Sequence, residues 1–336
     1  MGAQYSITTA GPAQRRSTEV VILSVDVIVV TYNSAPEVAA CLAAVRGSAH
    51  VERLIVVDNA SSDGSAGAAR RAGADLVLEN DRNVGFARAV NQGLEACAAG
   101  YVLLLNPDAL VTGDALSPLV ECLVEDEAVA MAGPLLVTPD GKVIVGGRRF
   151  STAANRLLWH LPLPGRPLWS TPEYGAEFGG PTPRHPVPVD YLWGAALLCR
   201  SSFLQGIGGL DESFFLYSED EDLGRRARQL GLRSMLVPDA TVRHVGGASS
   251  RDETLAQARI EMGNMRLLAK WEGERAARAF RAGIGPVLAL RALLLALVGR
   301  RDEARLPWRT CRLLRRARRS ESVLAPADQD RTSREA

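Results

Sequence analysis

The chain has 336 residues, of which 47% are hydrophobic and 23% are charged, and its formal net charge is +1. These values exclude a largely disordered chain and a polycation that would bind nucleic acid through its overall charge. The length predicts one large domain with an appendage, or two lobes. Five cysteines without a C-x-x-C pair indicate reduced thiols in a cytosolic protein, rather than a disulfide framework or a zinc site.

Short apolar runs alternate with helical patterns in the first half of the chain. Near-continuous Val, Ile and Leu in strands separated by helices is typical of a parallel sheet covered on both faces. We therefore expect an α/β domain with a Rossmann-like, mostly parallel sheet flanked by helices. The predicted strands are residues 25–30, 53–57, 75–78 and 101–105, and the predicted helices are residues 36–45, 65–72 and 85–99.

The character of the sequence changes at residue 151. Residues 151–190 are rich in proline, glycine and aromatic side chains, which predicts a long, flexible loop of the kind that often serves a function. Regular patterns return after this loop. They predict a strand at residues 195–199, a helix at 219–230, a strand at 235–237 and a helix at 252–282.

A strongly apolar segment, residues 284–299, is followed by a run of arginines. The segment is short for a bilayer span, so with the arginines it indicates a helix at the surface of anionic lipid. The alternatives are an amphipathic helix that packs on the catalytic domain, or a dimer contact. The predicted organisation is a disordered leader (residues 1–23), a main domain (24–250), a helical and basic extension (251–319) and a disordered tail (320–336).

Polar residues follow three of the predicted strands, at the edge where the carboxyl ends of parallel strands meet. Tyr32 follows the first strand, Asp58 the second, and Asn106-Pro107-Asp108 the fourth. The first strand lacks a glycine-rich turn and a P-loop lysine, which argues against a dehydrogenase or a P-loop site. Asp58 can accept hydrogen bonds from a base or ribose, and Asp108 can hold Mg²⁺ or Mn²⁺. A simple turn is the alternative for each.

Four carboxylates in succession, from Glu219 to Asp222, precede an arginine-rich helix. One explanation is that they complement the helix dipole. Crowded carboxylates also repel one another, and this repulsion raises the pKa of one of them toward that of a general base. His244 follows a later strand and is a candidate metal ligand, although a lone histidine is more often structural.

Taken together, these segments resemble the inverting family 2 glycosyltransferases with the GT-A fold. The resemblance covers about residues 24–250 and rests on several motifs in the right order. The motifs NPD and FFLYxED are similar to those of bacterial rhamnosyltransferases, whose relatives act on polyprenyl-diphosphate-linked precursors of the cell envelope. The matching motifs are VVTYN (29–33), VVDNASSDG (56–64), NVGFA (83–87), LLNPD (104–108), GGLDESFFLYSEDEDL (208–223) and HVGG (244–247).

The resemblance implies a nucleotide-sugar donor, Mg²⁺ or Mn²⁺ as cofactor, and roles for individual residues. Asp220 would be the base that deprotonates the acceptor hydroxyl, supported by Glu219. The family's metal motif is often Asp-x-Asp, and Asn106 in its first position predicts weaker metal binding. The other implied residues are Thr31, Tyr32, Asn33, Asp58, Asn83, Gly85, Arg88 and Asn106 at the donor nucleotide, Asp108 and His244 at the metal, and Trp193, Gly194, Ala195 and Asp222 at the acceptor.

The implied reaction is the inverting transfer of L-rhamnose from dTDP-rhamnose to a hydroxyl of a polyprenyl-diphosphate-linked or glycan acceptor. Other donors in this class are UDP-galactofuranose and UDP-hexose. Outside the class, a sugar nucleotidyltransferase should carry a glycine-rich, basic loop after the first strand, and a non-catalytic sugar-nucleotide binder would not need the carboxylates. We expect a cytoplasmic protein, peripheral on the inner face of the plasma membrane, without a nucleic-acid partner; the sequence leaves the oligomeric state open.

Overall fold

The structure is a computed structural model of the chain. The predicted leader up to residue 22, residues 162–181 of the predicted loop, and the predicted C-terminal tail lie outside the part that it describes. The described residues are 23–144, 146–150, 152–161, 182–245 and 252–317.

The described residues form strands and helices in alternation. The strands are β1 (Val25–Thr31), β2 (Val51–Asp58), β3 (Leu76–Glu79), β4 (Tyr101–Leu105), β5 (Ala109–Val111), β6 (Val129–Val137), β7 (Val143–Ile144), β8 (Gly147–Arg148), β9 (Val187–Val189), β10 (Tyr191–Leu192), β11 (Ala196–Arg200) and β12 (Arg233–His244). The helices are α1 (Ala35–Arg46), α2 (Ser65–Arg71), α3 (Phe86–Glu95), α4 (Leu116–Glu125), α5 (Ala153–Trp159), α6 (Ser201–Gly206), α7 (Glu219–Gln229), α8 (Glu253–Glu272), α9 (Glu274–Leu297) and α10 (Arg301–Ala317).

One large sheet forms the centre of the fold. Its hydrogen-bonded order is β3-β2-β1-β4-β11-β6-β12-β5, with β7 beside β6 and β9 beside β12. The strands β3, β2, β1 and β4 are parallel, β11 runs antiparallel between β4 and β6, and β12 is parallel to β6. Of these seven strands, all except β11 share one direction, which confirms the predicted α/β, mostly parallel architecture; the short strands β5, β7 and β9 are antiparallel to their neighbours.

Both faces of the sheet are covered, which explains why β1 is an almost continuous apolar run. Val25, Val27 and Val29 point to one face and belong to a core with α1, α2 and α4. Ile28 and Val30 point to the other face and belong to a core with α3, α6 and α7. Burial of each such side chain contributes about 1.5–3 kcal/mol, so both helical layers stabilise the strand.

Asp26 is the one charged residue of β1, and it is fully buried at the amino end of the strand. Its carboxylate accepts hydrogen bonds from Nε and Nη2 of Arg53, at 3.1 and 2.7 Å. The backbone N–H groups of Ala98 and Ala99 donate to it at 2.7 and 3.0 Å. Because every part of the buried charge has a donor, the strand tolerates it.

Several observed elements differ from the predicted ones. Helix α5 lies within the segment predicted to be irregular, and Thr152 caps it by accepting the backbone N–H of Asn155. The helix predicted over residues 252–282 is two helices, because Gly273, with φ of +87°, ends α8 and begins α9. The strand predicted at residues 235–237 continues as far as His244. Strands β5 and β6 and helix α4 complete the sheet and one of its faces.

The C-terminal helices form a layer of their own. Helices α8, α9 and α10 pack on one another and on α5 around Phe280, Ile284, Leu288 and Cys311. One face of the apolar segment is therefore packed, as in an amphipathic helix. Among the described helices, α9 is the one whose length and composition would allow a membrane crossing, and 33% of its most apolar stretch is buried in the protein.

Helix α7 approaches β10 closely at Gly224. A Cβ atom there would lie 2.6 Å from both the backbone oxygen of Asp190 and Cβ of Tyr191. We predict that Gly224→Ala destabilises the fold by about 1–3 kcal/mol through overpacking, which outweighs a gain of about 1 kcal/mol in helix propensity. Urea unfolding measures the difference. Gly206→Ala is the control, since a Cβ there meets nothing within 4 Å; equal unfolding midpoints for both variants would contradict this prediction.

Candidate active site

Two adjoining cavities lie at the carboxyl ends of β1 and β4. The larger has a volume of about 540 Å³ and the smaller of about 60 Å³. Both are lined by Val30, Phe86, Pro107 and Leu216, so they form two parts of one crevice. This is the edge of the sheet at which the sequence predicts functional residues.

The acidic run enters the larger cavity from a strained turn. Tyr217 and Ser218 have φ of +72° and +73°, a left-handed conformation that residues other than glycine rarely adopt. Helix α7 begins directly after this turn, and its first residues, Glu219 and Asp220, line the cavity. Gly263 of α8 makes room for the turn, because a Cβ there would lie 2.7 Å from Oγ of Ser218. Packing therefore holds the turn that directs two carboxyl groups into the cavity.

The surroundings of these two carboxyl groups raise their pKa values. Burial raises the pKa of Asp220, although its carboxylate accepts a 2.8 Å hydrogen bond from the backbone N–H of Glu221. Burial, followed by the charge of Asp220, raises the pKa of Glu219. Oε2 of Glu219 has no hydrogen-bond partner among the residues that the structure describes. Adjacent carboxyl groups with raised pKa values are suited to general acid–base chemistry.

Glu221 has a structural role beside the cavity. Its carboxylate accepts hydrogen bonds from Arg156 of α5 at 2.5 Å and from Arg225 at 2.9 Å. Arg156 also donates to Asn264 of α8. Glu221 is 2% exposed, so this network both neutralises a buried charge and joins α5, α7 and α8 around the cavity.

Asp222, predicted at the acceptor, does not line the larger cavity. Its Oδ1 accepts a hydrogen bond from Nε1 of Trp271 at 2.8 Å and lies 2.7 Å from Nζ of Lys270. Residues two apart on a helix point in directions about 200° apart, so Asp222 faces away from the cavity that Asp220 enters. Asp222 therefore fastens α7 to the end of α8.

Asp108 and His244 come together because β5 pairs with β12. Ala109 lies opposite His244 in this ladder, and the backbone N–H of Val245 donates to the carbonyl of Asp108 at 3.1 Å. Oδ1 of Asp108 lies 3.3 Å from Nε2 of His244. Two adjacent ligands of Mg²⁺ or Mn²⁺, each about 2.1 Å from the ion, would be about 3 Å apart, so this pair fits a divalent metal.

The chemistry of this pair suits an ion that is held jointly by protein and ligand. Within the described ranges, no three His, Cys, Asp or Glu side chains cluster as a metal site. Asn106 lines the larger cavity, and its backbone N–H donates to the carbonyl of Ala195 at 2.9 Å. A hard cation with few protein ligands takes the others from phosphate oxygens and water.

Tyr32, Asn83 and Gly85, all predicted at the donor nucleotide, line the smaller cavity. Oδ1 of Asn83 accepts the backbone N–H of Gly85 at 3.0 Å. Gly85 has φ of +90°, and a Cβ there would lie 2.7 Å from the carbonyl oxygen of Phe215. Glycine is thus required where this loop meets the segment that leads to the acidic run. Arg259 of α8 completes one wall.

Thr31, Asn33 and Asp58 line neither cavity, although residues next to them in the chain do. Thr31 and Asp58 are neighbours in the β1–β2 ladder, and both are buried. Oδ2 of Asp58 accepts the backbone N–H of Ser61 at 2.9 Å, and Oδ1 of Asn33 accepts that of Ser62 at 2.8 Å. Oδ1 of Asp58 and Oγ1 of Thr31 have no hydrogen-bond partner in the described part of the chain. A buried acceptor without a donor is unfavourable, and this supports the prediction that a nucleoside N–H donates to Asp58.

Arg88, also predicted at the donor, lines neither cavity. Its neighbours Ala87 and Ala89 are buried, whereas Arg88 is exposed on the outer face of α3. Its Nε lies 3.8 Å from Oε2 of Glu212. Helical periodicity therefore turns this side chain outward, and a contact with the donor diphosphate stays a prediction.

The predicted acceptor residues Trp193, Gly194 and Ala195 line the larger cavity. A Cβ at Gly194 would lie 3.9 Å from Cβ of Asp220, so the backbone here passes close to the candidate base. Sequence reasoning missed other residues of this wall. They are Arg148, Arg149, Trp159 and Tyr191. Their elements, β8, α5 and β10, were not predicted, and two adjacent arginines after a Gly-Gly pair were their only sequence signal.

Comparison with known proteins gives the class and the family. The family model described as Glycosyl transferase family 2 matches residues 26–180. An N-acetylglucosaminyl-diphospho-decaprenol L-rhamnosyltransferase of Mycobacterium tuberculosis (strain ATCC 25618 / H37Rv) is 32% identical over 235 residues, which are 65% of this chain and 75% of the relative. A pre-mycofactocin glycosyltransferase of the same strain is 29% identical over 249 residues, 72% of this chain and 45% of the relative. The protein is therefore a glycosyltransferase. It belongs to glycosyl transferase family 2.

Solved structures support the predicted GT-A fold. The mannosyltransferase PcManGT from Pyrobaculum calidifontis, in complex with GDP-Man and Mn²⁺, matches with a TM-score of 0.53 and 18% identity, over 85% of this chain and 84% of that chain. GalNAc-T7 with UDP, GalNAc and Mn²⁺ matches with a TM-score of 0.50 and 16% identity, over 72% and 48%. At these identities the similarity concerns the fold alone.

Asp220 is predicted to be the base, and two properties follow. Asp220→Asn should lower kcat by about 10²–10⁴-fold, the usual contribution of a general base, with donor affinity nearly unchanged. Because the base acts as a carboxylate and its pKa is raised, wild-type activity should fall with decreasing pH well above the ordinary aspartate value of about 4. Initial rates across pH and calorimetric donor binding measure both. Wild-type turnover by the variant would reject the assignment.

Proposed function

We propose that this protein transfers L-rhamnose from dTDP-rhamnose to a hydroxyl of a polyprenyl-diphosphate-linked precursor of the cell envelope. The observation that carries the proposal is a half-buried carboxyl pair of raised pKa, Glu219 and Asp220, in a cavity that adjoins the predicted nucleotide site. The name of the 32% identical relative supplies the donor sugar and the acceptor class.

The geometry supports a single displacement with inversion. The acceptor hydroxyl lies against Asp220, which takes its proton as the acceptor oxygen attacks the anomeric carbon. The bond from that carbon to the phosphate oxygen breaks, and its electron pair leaves with the nucleoside diphosphate on the opposite face. A divalent metal held by Asp108 and His244 would supply positive charge to the departing diphosphate. Glu219, protonated over much of the neutral range because its pKa is raised, keeps a second negative charge away from the base.

The rival functions differ in what they require of the crevice. UDP-galactofuranose and UDP-hexose remain the alternative donors. The smaller cavity, as the predicted site of the nucleobase, would have to distinguish uracil from thymine. A sugar nucleotidyltransferase needs cations after the first strand, where this chain has Tyr32, Asn33 and Ser34. A non-catalytic binder would have no use for a base placed in the larger cavity. A transferase therefore accounts for the base in the larger cavity and for the absence of cations after the first strand, which the rival functions leave unexplained.

A transfer assay tests the function and its metal. Purified protein with an N-acetylglucosaminyl-diphospho-lipid should form a rhamnosylated product from dTDP-rhamnose, detected by mass spectrometry. Chelation should abolish the reaction and Mn²⁺ or Mg²⁺ should restore it. His244→Ala should lower kcat/KM at least about tenfold, a loss typical even of residues that only orient a metal ligand. His185→Ala, at an exposed histidine outside both cavities, is the control.

Two results would contradict the proposed function. Transfer from a UDP-sugar but not from dTDP-rhamnose would reject the donor while keeping the enzyme class. Formation of a nucleotide-sugar from a sugar phosphate and a nucleoside triphosphate would replace the class by a nucleotidyltransferase.

We also propose that the protein is cytoplasmic and binds the inner face of the plasma membrane through its C-terminal layer. The end of α9 exposes an apolar tip, defined as Leu290, Leu293, Leu294, Leu297 and Val298. Exposed fractions reach 73% at Leu297 and 70% at Val298. The adjoining α10 exposes arginines of the kind that attract anionic lipid: Arg301, Arg305, Arg309, Arg312, Arg315 and Arg316. Apolar side chains beside arginines are typical of an interfacial helix.

Substitution of the apolar tip should release the protein from membranes. The double variant Leu293→Glu/Leu297→Glu should bind vesicles containing phosphatidylglycerol at least about tenfold more weakly, because two leucines lose their burial in lipid. Co-sedimentation measures this binding. The double variant Val124→Glu/Leu230→Glu, at exposed apolar residues of the other layers, is the matched control. Equal sedimentation of both variants would reject the tip as the membrane contact.

A further inference from the structure

We infer that Arg148 and Arg149 form the subsite for the acceptor's diphosphate, on the wall of the larger cavity that also holds the base. This inference rests on the proposed function, because it assigns the sugar and the diphosphate of the proposed acceptor to different parts of the cavity. Neither arginine belongs to the residues that the resemblance implies.

The first argument is position. Arg148 and Arg149 line the same cavity as Asp220. Arg148 lies in β8 opposite Tyr191 of β10, so its backbone is held in a ladder. Directly after β10, the backbone N–H of Trp193 donates to the carbonyl of Gly146 at 2.9 Å. The arginine segment and the segment that passes the base are therefore parts of one hydrogen-bonded unit.

The second argument is orientation. The guanidinium carbon of Arg148 lies 4.3 Å from the centre of the Trp193 ring. Stacking on an aromatic ring limits the rotamers of a long side chain and leaves the guanidinium N–H groups at its edge able to donate. The next residue, Gly194, passes Asp220 with no side chain between them. Two consecutive residues of the wall thus approach the two groups: Trp193 stacks with the cation of Arg148, and Gly194 passes the base.

The third argument is charge. An acceptor diphosphate brings two negative charges into a cavity that already contains the carboxylate of Asp220. It would be repelled unless cations bind it, and the fork of an arginine matches phosphate oxygens in pairs.

The three arguments define how the acceptor lies in the cavity. Its neutral sugar places a hydroxyl at Asp220, and its diphosphate lies at Arg148 and Arg149. The metal at Asp108 and His244 serves the donor diphosphate, so each diphosphate has its own source of positive charge. The arginines then act in acceptor binding and take no part in proton transfer.

The test compares two acceptors that differ in the diphosphate alone. One is an alkyl N-acetylglucosaminyl diphosphate, and the other is an alkyl N-acetylglucosaminide with the same chain. Arg148→Gln and Arg149→Gln should each raise KM for the diphosphate acceptor about tenfold or more, with little change for the neutral acceptor. Arg148→Lys should fall between the wild type and Arg148→Gln, because it keeps the charge and loses the fork.

The controls separate binding from folding and from the proposed function. Arg71→Gln, at an exposed arginine at the end of α2, should leave the kinetics with both acceptors unchanged. If Arg148→Gln unfolds, the Arg149→Gln variant, at an exposed position, and the Arg148→Lys variant still test the subsite. An equal rise in KM for both acceptors, or no rise for either, would overturn the subsite while the proposed function stands. A wild-type protein that glycosylates neither acceptor would overturn both.

Discussion

The strained turn at Tyr217 and Ser218 is the constraint on which the rest of the site depends. A left-handed pair of residues that are not glycine is unfavourable by about 1–3 kcal/mol each, so it persists because its neighbours hold it. On one side, the N–H of Phe86 donates to the carbonyl of Phe215 at 2.7 Å, with Gly85 in close contact. On the other side, Gly263 of α8 leaves room for Ser218. The same turn therefore joins the donor loop, the acidic helix and the C-terminal layer, and a change in any of them reaches the base.

The four carboxylates after the turn show how a helix divides one acidic run into separate tasks. Glu219 and Asp220 enter the cavity, where burial raises their pKa values. Glu221 is held by two arginines, and Asp222 by Lys270 and a tryptophan. Helix dipole and like charge act on all four, but the contacts of each side chain decide which of them can carry a proton. The dipole explanation and the catalytic explanation are therefore compatible, and they apply to different residues.

The parallel part of the sheet could be predicted because strands such as β1 are covered on both faces and read as unbroken apolar runs. The metal pair could be predicted only as two candidates, since the contact of Asp108 with His244 depends on β5 pairing with a strand far along the chain. The contacts of Asp222 with Lys270 and Trp271 could have been separated from the cavity only by applying helical periodicity within the acidic run. Arg148 could not be placed, since β8 is two residues long and is defined by its pairing with β10 rather than by a pattern of its own. Sequence periodicity thus predicts the helices and strands, whereas the geometry of the site depends on how distant strands pair.

Helix α8 links the cavity to the C-terminal layer. Glu261 and Asn264 of α8 line the cavity, while Leu268 of the same helix packs in a core with α9 and α10. Because these helices share one close-packed core, the apolar tip of α9 is joined through α8 to the cavity that holds the base. A polyprenyl acceptor carries its sugar on a diphosphate at the lipid surface, so an enzyme that uses it gains from presenting the cavity at a defined height above the membrane. On the proposed function, the C-terminal layer is thus a spacer between lipid and base as well as an anchor, and arginines on the cavity wall are placed where the lipid diphosphate has to pass.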